Sequence, residues 1–148
     1  MFIWLFKDLT LAPVLSSTIF SILTLVYLYL LLEKIFTKEI AVISCLIYAV
    51  FPFQVWLSTS AMPEFPFFFF ITAAFYYFIM WYDGLNMRSR NHIYLIIAAV
   101  SLNLANLLRY EGWFFTIAFV IMVIILSYRK YRLNKELYIN FSWSMISY

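Results

Sequence analysis

Three ionisable side chains carry most of the chemical potential of this sequence. Glu64 stands in Ser60-Ala61-Met62-Pro63-Glu64-Phe65-Pro66, between two prolines and at the head of the Phe67–Phe70 run. Arg109 and Glu111 stand together in Leu108-Arg109-Tyr110-Glu111-Gly112-Trp113. An arginine is a permanently charged, forked donor suited to a phosphate or a carboxylate, and an adjacent glutamate can orient it through a charge-assisted hydrogen bond. One arginine with two acids in an outward cavity suits a phosphate-linked substrate, with Tyr110 and Gln54 as further substrate contacts. Two plainer readings compete with that one. Glu64 directly follows Pro63, so it can serve as a helix-start acid favoured by the positive end of the helix dipole, an effect of about 0.3–1 kcal/mol. Arg109 can snorkel to lipid headgroups while Tyr110 and Trp113 anchor the interface and Gly112 relieves the turn.

The elements that must position these residues are membrane helices. The chain is 66% hydrophobic and 11% charged with two glycines, outside the range of a soluble domain. Its apolar residues fall in blocks of about 16–22, close to the ~20 needed to cross a bilayer, and none has the polar stripe of a soluble bundle helix. The blocks predict helices over about 12–33, 40–57, 65–82, 92–109 and 113–128. The expected fold is therefore an all-α, polytopic transmembrane bundle of about five complete spans and a truncated sixth, forming a single domain over 1–148. Pro66 suits the first turn of the third helix, where its missing N–H breaks no hydrogen bond. Pro52 predicts a kink or early end in the second span, and Gly84 marks the turn after the third.

Charge sets the expected orientation. Lys34, Lys38, Arg88, Arg90, Arg129, Lys130, Arg132 and Lys135 fall in one set of loops, and Lys7 and Arg109 in the other. Positive residues are retained on the cytoplasmic side, so Glu64 and the Arg109–Gly112 turn are expected on the non-cytoplasmic face of the cell membrane, on successive loops close enough to meet. The net charge of +3 reflects this orientation better than nucleic-acid binding. Both ends look cut. Leu137–Tyr148 begins an apolar segment too short to cross, and Met1–Phe6 lies outside without a basic leader, which suggests a piece of a longer protein lacking a first span, a first outer loop and a C-terminal part.

The two motifs, each opening an apolar helix, together resemble the GT-C superfamily of integral membrane glycosyltransferases, above all protein O-mannosyltransferase and lipid A aminoarabinose transferase homologues, over about residues 10–128. That resemblance implies transfer of a sugar from a polyprenyl-phosphate donor to a glycan, lipid or protein acceptor outside the membrane, with inversion at the anomeric carbon. It implies that the principal catalytic acid lies on a first outer loop largely absent from this chain, so the chain alone is expected to be inactive. An acid before the Phe-rich helix is a second family feature, often aspartate in a Thr-Asp-Met-Pro setting. Here Glu64 follows Met62-Pro63 and takes that catalytic position. Asp8, just before the first span, has no matching motif.

Other polar residues have plainer readings. His92 is alone and Cys45 lies within an apolar block, so the residues assign no metal and identify no cofactor. Asn103 and Asn106 share a helix face and are expected to bond between helices. The Phe67–Phe70 run is expected to face lipid or pack in the core. A transporter or a non-catalytic membrane subunit is the alternative function; broken spans and small-residue crossings would mark a transporter, and two glycines, both expected in loops, speak against it.

Overall fold

The computed structural model describes residues 11–58, 63–86 and 92–146. Asp8, Ser60-Ala61-Met62, Arg88 and Arg90 lie outside the described residues. Among these residues there are helices and no strands: α1 (Leu11–Ile35), α2 (Lys38–Val50), α3 (Pro52–Ser58), α4 (Glu64–Asn86), α5 (His92–Leu108) and α6 (Gly112–Ile146). The chain divides into two compact units, one running through Gly112 and one from Trp113 onward.

Within the first unit, α4 packs most extensively against α5 and next against α1. On α5 the buried residues are Ala98, Ser101, Leu102 and Ala105, a stripe at helical spacing made mostly of small side chains. On α4, Phe67, Ile71, Ala74, Phe78 and Trp81 are buried in the same rhythm, with Ala73 and a fully covered Phe65 beside them. Small residues let helix backbones approach, and close approach is what drives association where lipid is as apolar as leucine. Small-residue crossings are therefore present here, built from alanine and serine rather than glycine.

Hydroxyls inside this apolar unit are satisfied locally. Thr18, Thr24, Thr72 and Ser101 each donate to the carbonyl four residues back, at 2.9, 2.7, 2.7 and 2.9 Å. Asn103 does the same, donating to Ala99 O at 2.9 Å. Its expected bond between helices is thus replaced by one within its own helix, because the side chain is exposed and its own carbonyl ladder is nearest. Tyr27 and Tyr77 pair their hydroxyls across α1 and α4 at 3.0 Å, within an aromatic cluster that includes Phe69 and Tyr76. The Phe67–Phe70 run is accordingly mixed: Phe67 is buried, Phe68 is exposed, and Phe69 and Phe70 contact Phe20 of α1.

Among the described residues three helices are long and apolar enough to cross a membrane, at Pro13–Ile35, Glu64–Gly84 and Gly112–Arg129, and His92–Leu108 is a shorter apolar one. The expected second span is interrupted at Pro52, where the sequence predicts a kink or early end. Pro52 supplies no N–H and forces the preceding residue out of helical geometry, and Phe51 adopts φ −61°, ψ 120°. The helix stops at Val50 after 13 residues and restarts for seven from Pro52. Gly84, read as a turn, lies in the last turn of α4. In the second unit α6 runs on through the basic stretch to Ile146 without the expected interruption. Residues 129–137 contain neither proline nor glycine, so nothing in the backbone stops the helix.

Replacing Ala98, which is wholly covered, with leucine forces α4 and α5 apart. Ala98→Leu is expected to lower stability by about 1–3 kcal/mol, read as a reduced thermal midpoint in detergent, whereas Val100→Leu on the exposed side leaves it unchanged.

Candidate functional site

Glu64 is the first residue of α4, and Arg109 follows the last residue of α5. Antiparallel packing of the two helices brings these ends together. Proline is tolerated here because Pro66 occupies the first turn, while Phe67 N–H donates to Pro63 O at 3.2 Å and closes that turn. The α5 end is closed by Arg109 N–H to Ala105 O at 3.1 Å and Gly112 N–H to Arg109 O at 3.2 Å. Gly112 is buried, and a Cβ there would meet Asn106 Oδ1 and lie 3.1 Å from its Cα and backbone N. A side chain at this turn is crowded, and the Asn106 side chain and backbone must give way to admit one.

The guanidinium of Arg109 lies between the two acids. Its Nη1 donates to Glu64 Oε1 at 2.8 Å, across 45 residues of sequence. Its Nε and Nη2 donate to Glu111 Oε2 and Oε1 at 3.0 and 2.9 Å. The second arrangement is a bidentate fork, the strongest form of arginine–carboxylate recognition. The Arg109, Glu64 and Glu111 side chains are 33%, 22% and 34% exposed. They are neither free in water nor sealed from it, so their mutual attraction is partly screened. By contrast, Lys34–Asp83 at 3.8 Å and Lys38–Glu33 at 4.0 Å are exposed, long pairs of little weight.

Glu111 titrates below its ordinary value of 4.5 because Arg109 hydrogen-bonds its ionised form, helped by its own backbone N–H and opposed by burial. Glu64 differs in one respect: its Oε2 is buried and accepts no hydrogen bond. A buried carboxylate oxygen without a donor is uncommon and marks a place where a ligand or water hydrogen belongs. Gln54 of α3 is the other such residue. It is 8% exposed, its Nε2 has no partner, and it neighbours Tyr48. α3 packs against α1, α2 and α4.

Of the residues singled out in the sequence, Glu64, Arg109 and Glu111 meet in one cluster. Tyr110 is 77% exposed and acts on Glu111 least among the groups around it. His92 begins α5, at the end of that helix away from Arg109, and no group of three metal-ligating side chains occurs among the described residues. An open groove lined by Lys38, Glu39, Val42 and Ile43 at the start of α2 includes none of the candidate residues. The Tyr27–Tyr77 pair was not legible beforehand; a tyrosine in the middle of an apolar helix, whose hydroxyl must find a partner, was the available signal.

The family model for dolichyl-phosphate-mannose-protein mannosyltransferases matches residues 1–146. The chain belongs to this family. Members of the dolichyl-phosphate-mannose-protein mannosyltransferase family are membrane glycosyltransferases, in keeping with the apolar helices. No curated protein and no solved structure matches the chain.

Two outcomes test the geometry of the cluster. Because Glu111 titrates lower folded than unfolded, its contribution is complete above the ordinary value of 4.5 and is lost as pH falls through the folded value. The melting-temperature difference between wild type and Glu111→Gln should therefore hold from pH 8 down to about 5.5 and shrink below about pH 4. Gly112→Ala is expected to lower stability by about 1–3 kcal/mol in thermal unfolding, since the Asn106 backbone must shift to admit the methyl.

Proposed function

We propose that this protein transfers a sugar from a polyprenyl-phosphate-linked donor to a hydroxyl of a glycan, lipid or protein acceptor on the non-cytoplasmic face of the membrane. The observation that carries this reading is the free, buried oxygen of Glu64, held in place by Arg109 in a chain of the mannosyltransferase family. The imbalance of Lys and Arg between the two ends of the apolar segments, including Arg129, Lys130, Arg132 and Lys135 beyond the apolar part of α6, supports the assigned face.

In the proposed reaction the acceptor oxygen attacks the anomeric carbon while the bond from that carbon to the phosphate oxygen breaks. The electron pair leaves with polyprenyl phosphate, already a good leaving group. The hydroxyl proton must pass to a base, and Glu64 Oε2 is an acceptor with no competing partner. Gln54, buried beside Tyr48, is assigned to a substrate oxygen, and the exposed ring of Tyr110 to the lipid or sugar at the rim. The apolar outer surfaces of the helices suit a polyprenyl tail.

A transporter is the competing reading. The helix break at Phe51–Pro52 and the alanine crossings between α4 and α5 are features of that class, so backbone architecture does not separate the two. Family membership favours the transferase.

Glu64→Gln keeps the shape of the side chain and removes its charge. In the full chain, in membranes and at matched expression, this change is expected to lower sugar transfer from polyprenyl-phosphate mannose on the order of 10²-fold or more. Arg109→Ala should do the same. Wild-type rates in both variants would overturn the assignment.

A further inference from the structure

A half-shielded arginine in an enzyme of phosphate-linked sugars invites assignment to the phosphate, but the hydrogen bonds around Arg109 point elsewhere. A guanidinium has five N–H donors. Nε and one N–H of Nη2 are engaged by the two oxygens of Glu111, and one N–H of Nη1 by Glu64. Of the two guanidinium edges that offer paired bonds to an oxyanion, the Nε–Nη2 edge is filled by the protein's own carboxylate, and Nη1 of the other edge already holds Glu64. Two N–H groups remain, one on each terminal nitrogen. One guanidinium faces two carboxyl groups, and a phosphate brought to those remaining donors would lie against both of them. What the cluster leaves open is an acceptor, the buried Glu64 Oε2. A neutral hydrogen-bond donor fits that atom, and an anion does not.

We propose that Glu111 is a positioning residue: it clamps Arg109 into the scaffold, Arg109 fixes Glu64, and the atom so presented receives a hydroxyl of the sugar or acceptor, while the donor phosphate is held by other groups. The identity of the hydroxyl rests on the transferase reading; the clamp does not. The local structure suits the role. Glu111 is two residues from Arg109 in a turn held by two backbone hydrogen bonds and by the tight seating of Gly112 against Asn106. A carboxylate so placed restrains a long, flexible arginine at little additional entropic cost.

The test uses the full chain in detergent or nanodiscs, with wild type, Glu111→Gln, Glu111→Asp, Arg109→Gln, Glu64→Gln and the Glu64/Glu111 double variant. Affinity for sugar-free polyprenyl phosphate is expected to stay within two-fold of wild type in Glu111→Gln and Arg109→Gln. In the same variants kcat should fall at least ten-fold, with partial recovery in Glu111→Asp, which keeps the charge. A KM rise for the donor assigns the hydroxyl to the sugar, and one for the acceptor assigns it to the acceptor. A ten-fold loss of polyprenyl-phosphate affinity in Arg109→Gln would overturn the proposal. If wild type neither transfers sugar nor binds polyprenyl phosphate, the transferase reading fails by itself. The clamp is then judged by thermal midpoints: non-additive shifts of Glu64→Gln and Glu111→Gln uphold it, and additive shifts overturn it. Should Glu111→Gln not fold, Glu111→Asp replaces it in the cycle.

Discussion

The close approach of α4 and α5 is the contact on which the candidate site depends. Glu64 begins one helix and Arg109 ends the other, so their ion pair at 2.8 Å exists only because the two axes run antiparallel at short range. Range is set by side-chain size. Ala98 and Ala105 on α5, and Ala73 and Ala74 on α4, are nearly or wholly covered, and nothing larger would let the helix ends converge. The aromatic residues around them, Phe65, Phe67, Phe78 and Trp81, fill the space the alanines leave.

Seen from the cluster outward, each level of the first unit limits the next. The turn after α5 seats Gly112 tightly against Asn106 and is closed by two backbone hydrogen bonds, which fixes how the chain leaves the helix. The fixed turn sets Glu111 against the fork of Arg109. The fork then leaves one terminal nitrogen to reach the start of α4, and that nitrogen selects one of the two oxygens of Glu64. The unused oxygen stays buried with no donor. A carboxylate oxygen left in that state, in a unit where Thr18, Thr24, Thr72 and Ser101 all bond their own helix carbonyls, is a departure from the general pattern.

Much of this was legible in the sequence, and the exceptions have physical reasons. Apolar block length gave the helix now seen at Glu64–Asn86 and the one at His92–Leu108 within a few residues. The spacing of Arg109, Glu111 and Gly112 gave the tight turn, and Pro52 gave the interruption near Val50. What hydropathy could not show was which face is buried, because every face of these helices is apolar. In the stripe, Ala98, Ser101 and Ala105 differ from Val100 and Ile96 in size or polarity rather than in any wet-to-dry contrast, and the buried Leu102 is an isomer of the exposed Ile96. Basic residues after Tyr128 suggested a loop because charge was read as a break. Charge marks where a helix leaves lipid and does not end it. Asn103 was misassigned for a related reason: in an apolar setting a short polar side chain has its own helix carbonyl always within reach. The partnerless oxygen of Glu64 was beyond sequence reasoning, since it depends on how two carboxylates share one guanidinium.

The 45-residue separation of Glu64 and Arg109 also orders events at the ribosome. At roughly 5–20 residues per second, the acid is made about 2–9 s before its counter-ion. During that interval Glu64 is an unpaired anion at the leading end of a greasy segment, and hydration together with the helix dipole must carry it. Arg109 then arrives with Glu111 only two residues behind. The carboxylate that emerges first therefore docks onto a cation that acquires its second partner almost at once, and the pairing is completed late, from the C-terminal side.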